Sequence, residues 1–595
     1  MPEIYLPFVG KGQTTTQPPP PQSTEKRIVI DPVTRIEGHL RLEVQIEDGV
    51  VTDAWSSGTM FRGLEMILRG RDPRDAWVFA QRICGVCTTV HAIASVRAVE
   101  NALGVTVPDN ARLLRNLIEG AQFIQDHVIH FYHLHALDWV NIVNALEADP
   151  AATSALATSI SDWPNASAGH FAQVKNRVQS LVDSGQLGLF ANAYWDHAAY
   201  SLPPEADLMA VAHYLEALDW QREVIKIHAV LGGKNPHPQT YLVGGMAMPV
   251  DASSDAATNP ERIGLLRGWA QQCLAFVEKV YIPDLLAVAG FYGDWSTIGG
   301  GFGNFLAYGD FPDVSSGDPA DLWLPRGVVW NEGLASPPET LDHHQIEEYV
   351  THSWYDYTSG DQDGRHPWQG ETKPNYTGPQ PPYDFVSTGD KYSWLKAPRY
   401  NGQPMEVGPL ARMVVAYAGG HDRVRSEVDR VLNALGVGPD ALFSTLGRTA
   451  ARGIETLLIA ERMATWIDEL DANMQSGDLA IHDGSRWDPS TWPAEASGWG
   501  TTEAPRGALG HWIHILDGKI ANYQTVVPST WNGSPRDAAG RRGVWEEALI
   551  GTPVANPMQP LEVIRTVHSF DPCMACAVHV VDTEDRELTR VELVP

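Results

Sequence analysis

The chain has 595 residues, of which 43 are Lys or Arg and 73 are Asp or Glu, for a formal charge of −30. That field has the wrong sign for holding nucleic acid or anionic lipid through bulk charge. A 43% hydrophobic content with 20 Trp excludes wholesale disorder and suffices for a large core, in two to four lobes or one interwoven domain.

Thr, Gln and Pro dominate the run KGQTTTQPPPPQSTEK at 11–26, so residues 1–26 read as a flexible or polyproline-like leader. No charged stretch followed by an apolar one is visible there, and no secretory signal is expected. No apolar run reaches the roughly 18 residues that cross a bilayer, so no direct membrane span is expected either. The expected locations are the cytoplasm, a membrane reached through a partner, or the periplasm after export with that partner.

Residues 27–75 read as a β region. Leu40, Leu42, Val44 and Ile46 alternate with polar residues, and Asp48-Gly49 supplies a hairpin turn before Val50 and Val51. Upstream lies a dense polar set, DPVTRIEGH at 31–39, and downstream GTMFRGLE at 58–65. From about residue 110 the apolar spacing becomes helical through Leu113, Leu117, Ile118, Ala121, Ile124 and Val128, and continues to 147. Similar patterns cover roughly 205–231, 259–290, 408–435 and 447–476. Several approach or exceed 25 residues, which predicts a mainly α fold with minor β: a long-helix bundle over 76–500 with small peripheral β elements. Residues 291–400, rich in Gly, Pro, Asp and Trp, read as an irregular insertion, and 501–579 as short strands and loops. The first long helix also carries His127, His130, His133 and His135 beside Asp126. Spacings of three suit either a metal site or, as the plainer reading, a polar seam.

Five cysteines are too few for a disulfide framework in so long a chain. Cys273 stands alone in an amphipathic stretch and reads as a small core residue. The others form two pairs at one spacing, Cys84/Cys87 in RICGVC and Cys573/Cys576 in DPCMAC. A structural zinc site, a functional thiolate metal centre and two separate redox pairs all use CxxC. Zinc-ribbon pairs lie within tens of residues, whereas 485 residues separate Cys87 from Cys573. That separation favours a functional centre for a soft transition metal.

The segments RICGVCTTVHA at 82–92 and DPCMACAVH at 571–579 resemble the large subunit of nickel–iron hydrogenases. So do DPVTRIEGH, GTMFRGLE, GGKNPHP at 232–238, EVGPLAR at 406–412, EAPRGALGHW at 503–512 and YQTVVPSTWN at 523–532, which together span nearly the whole chain. The resemblance implies a mainly helical core with smaller β elements around a buried Ni–Fe(CO)(CN)2 centre. Cys84 and Cys573 would be terminal nickel ligands, and Cys87 and Cys576 would bridge nickel to iron. Arg506 would sit over the open metal position, fixed by Asp126 and Asp571, while Pro505 and Ser529 line the diatomic ligands. A guanidinium is protonated at ordinary pH, so polarisation of H2 suits it better than classical base catalysis. Glu37 would take the proton from the Cys573 thiol, and His91 would hydrogen-bond near the bridging sulfurs. Glu65, the Thr525 carbonyl and the His579 side chain would hold Mg2+ or a similar ion. His237 would face the nearest iron–sulfur cluster of a partner.

No cysteines remain for iron–sulfur clusters, so an obligate heterodimer with a cluster-bearing small subunit is expected, alone or as a dimer of heterodimers. By the same resemblance the enzyme works in H2 uptake, and two electrons leave through that subunit. Read alone, RVELV near the C-terminus suggests a strand. The resemblance instead implies that residues 580–595 are an extension, cut off by an endopeptidase once a maturation chaperone has helped load nickel. Its presence favours a catalytic enzyme over a hydrogen sensor. Oxygen-tolerant members with a cysteine-rich proximal cluster usually carry Glu before RICGVC; here Gln81 stands there, which points away from that mechanism. The competing functions are a quinone-reducing relative that has lost its metal thiolates and a zinc-stapled structural protein.

Overall fold

The computed structural model describes residues 26–185, 190, 193–195, 197–378 and 385–577, without the side chains of Cys576 and Ala577. The leader, His579 and the C-terminal extension therefore lie outside the described residues. The architecture is mainly α, with β structure confined to sheets of two or three strands. Among the described residues no helix is long and apolar enough to cross a membrane.

The first sheet is the hairpin the alternation predicts. Strands Lys26–Ile30, Leu40–Glu47 and Val50–Gly58 pair antiparallel in sequence order, and Leu40, Leu42, Val44 and Ile46 are buried. Asp48 and Gly49 both take positive φ, as a tight turn that follows strand twist requires.

Two helices form the spine of the core. Helix Asp109–Ile129 buries the apolar face read from its periodicity and packs on the 32-residue helix Thr445–Ser476. Gly120 permits the contact, since a Cβ there would lie 2.8 Å from Met463 Sδ and 3.0 Å from the Trp466 ring. The expected continuous helix to 147 is not found. The α-helix ends at Ile129, a π-turn covers His130–His135, and short 3-10 turns follow. The 259–290 pattern likewise holds a π segment at Val277–Tyr281, and the 205–231 pattern breaks at Ile225. The 408–435 pattern splits into Pro409–Ala418 and Asp422–Leu435, where Gly420 takes φ 85°. Apolar spacing is blind to such interruptions, because a π-turn shifts the buried stripe without ending it. Residues 291–400 contain paired strands, among them Ile346–Tyr349 with Ala397–Tyr400. Cys273 is buried in helix Pro260–Phe276, and burial pushes its thiol pKa up, as a core residue requires.

A second contact positions the site. Strand Glu495–Ala504 lies against helix Val90–Leu103 through Gly498 and Gly500, two residues apart and so on one strand face. A Cβ at Gly498 would meet the Ala98 carbonyl at 2.3 Å, and one at Gly500 the Ala94 carbonyl at 2.1 Å. This brings the loop holding Cys84 and Cys87, just before the helix, towards the end of the strand. Ala504 pairs with Gly507 on the next strand, Gly507–Leu516, so Pro505 and Arg506 form the two-residue turn.

Candidate metal centre

The two ends of the chain meet at the cysteines. Glu37 N–H donates to the Pro572 carbonyl at 3.3 Å, and Met574 N–H to the Glu37 carbonyl at 2.7 Å. Gly38 makes the approach feasible, because a Cβ there would lie 2.5 Å from the Ala575 nitrogen. Cys573 N–H donates to Ser529 Oγ at 2.9 Å. Cys84 Sγ accepts the N–H groups of Val86 and Cys87 at 3.3 Å each, which favours a thiolate. Cys84 Sγ and Cys573 Sγ are 3.4 Å apart, far beyond the roughly 2.05 Å of a disulfide. The sulfurs of Cys84, Cys87 and Cys573 all lie within 4.8 Å of one another, and all are buried. Three soft donors converging with no disulfide among them are the donor set of a thiolate-bound transition metal. Cys576 follows on the short helix Met574–Ala577, but its side chain lies outside the described residues.

Arg506 crosses this site from the hairpin turn. Nη1 donates to Asp126 Oδ2 at 3.1 Å, and Nη2 pairs with Asp571 Oδ1 at 3.0 Å. Burial opposes the charge, but Asp571, with the Cys573, Asp126 and Cys87 groups nearby, outweighs it and holds the guanidinium well above its ordinary pKa. Asp126 feels burial more strongly than Arg506, and its pKa is pushed up to about 7, with Asp571 and Cys84 adding to the rise. Glu37 is raised for the same first reason, burial, and then by Cys84. Its Oε2 accepts Ala575 N–H at 2.9 Å and stands 3.5 Å from Cys573 Sγ. Pro505 is buried in the same turn, with its carbonyl accepting from Arg412 at 3.1 Å and Arg452 at 3.4 Å.

Arg452 and Glu455, behind Asp571 and Asp126, were not singled out by sequence. Arg452 Nη1 lies 3.4 Å from Asp571 Oδ2 and 3.0 Å from His127 Nδ1. His127 Nε2 donates to Glu455 at 2.7 Å, and Glu455 accepts from Arg412 Nε and Nη2. Burial pushes the His127 pKa down to about 3, so its ring is the neutral link in this chain. Burial would raise Glu455, but Arg412 outweighs it and draws the carboxyl down to about 2. Gln122 ties the helix to the cysteine loop by accepting Thr89 N–H at 2.8 Å and donating to the Val86 carbonyl at 3.2 Å. A signal for Arg452 and Glu455 existed: two charges three residues apart inside a strongly apolar stretch share one helix face.

The other histidines of that helix do not join in one metal site. His130 donates to the His568 carbonyl at 2.6 Å and His133 to the Tyr214 carbonyl at 3.1 Å, which is the polar seam. His135 and His568 instead flank Asp138, which also holds Arg35 just upstream of Glu37. His91 Nδ1 faces His511 Nε2 at 3.1 Å, and His511 continues to Tyr523 and Ser95. Of the two bridging sulfurs near which His91 is expected to hydrogen-bond, that of Cys576 lies outside the described side chains.

Glu65 is buried, and its Oε1 accepts Thr525 N–H at 2.9 Å. Thr525 lies on the outer edge of the C-terminal sheet, and in an extended strand its carbonyl projects to the same side as its N–H. Thr372 Oγ1 bonds the other carboxylate oxygen, and Lys396 Nζ stands 3.9 Å away. His579, the third expected donor, lies outside the described residues. His237 bonds the Thr88 hydroxyl through its backbone and flanks Gly85, in the cysteine loop. Gln81 is buried, with its amide donating to the Pro238 carbonyl at 2.9 Å.

A family model described as "Nickel-dependent hydrogenase" matches residues 62–579, and one described as HoxL-like matches 27–57. The chain is 53% identical to the uptake hydrogenase large subunit of Rhizobium leguminosarum bv. viciae over 96% of its length and 97% of that protein. It is 49% identical to the Hydrogenase-1 large chain of Escherichia coli (strain K12), again over 96% and 97%. Among solved structures, the Ni-Fe-Se hydrogenase from D. vulgaris Hildenborough in its as-isolated oxidized state superposes with a TM-score of 0.74 at 35% identity, covering 93% of this chain and 100% of that one. With a family model matching residues 62–579 and relatives at 49–53% identity over 96% of its length, the chain belongs to the nickel-dependent hydrogenase large subunits.

Proposed function

We propose that this large subunit catalyses H2 oxidation in the uptake direction at a Ni–Fe(CO)(CN)2 centre and passes two electrons to an iron–sulfur small subunit. The observation that carries the reading is the convergence of buried sulfurs from Cys84, Cys87 and Cys573 near a guanidinium held by two carboxylates. Cys84 and Cys573 would be the terminal nickel ligands, and Cys87 and Cys576 the bridges to iron. Bound there, the centre supplies the electrophilic metals at which H2 is polarised and split.

The chain's own residues do the rest. Arg506, locked by Asp126 and Asp571, would hold a fixed positive charge beside the centre, and Pro505 and Ser529 would line its diatomic ligands. Glu37 takes a proton from the Cys573 thiol; the 3.5 Å contact and the raised carboxyl pKa support that role. His91 orients the bridging region through its link to His511. Glu65 and the Thr525 carbonyl, with His579, hold Mg2+ or a similar ion; the edge position of Thr525 beside Glu65 supports it. His237, beside the cysteine loop, faces the nearest cluster of the small subunit.

Residues 580–595 are removed after His579 by an endopeptidase, following chaperone-assisted nickel loading; the family match ending at residue 579 supports this. The small subunit then holds the pair at, or carries it across, the membrane.

Infrared spectroscopy of the purified heterodimer, combined with H2-dependent dye reduction, tests the proposal. Sharp CO and CN bands with nickel and iron present are expected; zinc in place of nickel with no such bands would overturn it.

A further inference from the structure

Away from the thiolate centre, three imidazoles meet on the insertion. One ring nitrogen from each of His343, His344 and His366 lies within 4.8 Å of the other two. We propose that they form a second metal site, which takes a divalent ion of the Zn2+ class and clips two turns of the insertion together.

The backbone sets the rings in place. The 3-10 turn His343–Gln345 leads into strand Ile346–Tyr349, and the turn Pro367–Gln369 is capped by the His366 side chain. His366 Nε2 donates to the His343 carbonyl at 3.1 Å, so the turns already touch. That bond fixes the proton on Nε2 and leaves the lone pair on Nδ1, which now accepts a long 3.2 Å contact from Trp368 N–H. A histidine that donates one ring N–H to a carbonyl is oriented as metal-binding histidines are, and an ion would take the Nδ1 lone pair in exchange for the capping contact with Trp368 N–H.

His343 supplies the second reason. Its Nδ1 is buried and has no hydrogen-bond partner among the described residues. A buried polar nitrogen left so is costly and calls for a partner. The ring cannot easily turn away, because Trp499 stacks on it at 4.0 Å and Trp368 meets it edge-on at 5.0 Å. Trp368 is itself anchored through Nε1–H to the Gly498 carbonyl at 3.2 Å. His344, by contrast, is exposed, with its ring 4.0 Å from that of His343, and gives an ion a way in from solvent.

Charge and donor type choose the ion. The Asp342 carboxylate next to the triad favours positive charge at His343, and Arg326 opposes it. The guanidinium of Arg326 is engaged by the Tyr308 carbonyl at 2.6 Å and Thr501 Oγ1 at 3.0 Å. Three nitrogen donors suit Zn2+, and Cu2+ or Ni2+ more than Mg2+ or Ca2+, which want oxygen. A water or other small ligand completes four-coordination.

The test uses the holoenzyme heterodimer, stripped of loosely held metal with EDTA and dialysed against Zn2+ or Co2+. Elemental analysis should find one saturable ion per large subunit beyond the resident metals. Co2+ should give visible ligand-field absorption of nitrogen coordination. His344→Gln, at an exposed position, and His366→Gln should each weaken binding at least tenfold and abolish that absorption. Zn2+ should raise the thermal midpoint of the unsubstituted enzyme but not of His344→Gln. Absence of a saturable extra ion, or binding unchanged in both variants, overturns the proposal.

Discussion

Glu37 and Cys573 are 536 residues apart in the chain, yet they form an isolated parallel β-bridge and place carboxylate and sulfur 3.5 Å apart. The bridge joins the loop between the first two strands to the segment just after helix Leu561–His568. The active site can therefore close only when both ends of the polypeptide have folded against the core.

That contact underlies the role proposed for Glu37, first acceptor of a proton leaving sulfur. Glu37→Gln keeps the size and the acceptor for Ala575 N–H but cannot take up a proton. H2/D2O isotope exchange should fall by about 10²–10⁴-fold. Nickel and iron content should stay unchanged, which separates a proton-transfer defect from loss of the centre.

Arg506 spans two carboxylates on different segments, a geometry that needs the planar fork of a guanidinium. Arg506→Lys keeps the charge but cannot bridge Asp126 and Asp571 at once. H2 oxidation is expected to drop by about 10²–10³-fold, the scale of losing one well-placed electrostatic group, with metal retained. Activity within a factor of two of the parent would contradict the role given to it.

Gly38 stands where the two chain ends touch, at φ 82°. A methyl group there would press on the Ala575 nitrogen and on Met574 Cβ, 2.8 Å away. Forcing a side chain into this conformation costs about 1–3 kcal/mol before any clash is counted. Gly38→Ala should purify with clearly substoichiometric nickel, read by elemental analysis, while its far-ultraviolet circular dichroism stays native.

Asp126 gives a pH signature with a definite sign. Its folded pKa of about 7 lies above the ordinary 3.8, so between these values the native protein keeps a proton that the unfolded chain has lost. This contribution favours the native state most at low pH, and it is lost as pH rises towards 7. Relative to Asp126→Asn, which cannot titrate, the parent enzyme should lose stability across that window and level off above it, by on the order of a few kcal/mol at most. Paired thermal unfolding curves at several pH values measure the difference.

Much of this was legible in the sequence, because cysteine is scarce and its spacing distinctive. Two CxxC pairs in a chain with one other cysteine leave few alternatives, and the apolar stripe from Leu113 to Val128 marks a buried helix on its own. The breaks in the long helices were hidden: the π-turn at His130–His135 shifts the apolar stripe without interrupting it, so the run still reads as one helix. Arg452 and Glu455 left a signal in their spacing, but their partners His127 and Asp571, far away in sequence, were not legible. The imidazole triad escaped because His343 and His366 lie in a stretch whose short strands are too brief to show a period.

The central claim is that sulfur atoms from both ends of the chain hold the nickel. X-ray absorption at the nickel edge of the mature heterodimer tests it most directly. A first shell dominated by sulfur is expected, with iron as the next heavy neighbour, and loss of nickel in Cys573→Ser. A shell of nitrogen and oxygen only, or full nickel occupancy without Cys573, would contradict it.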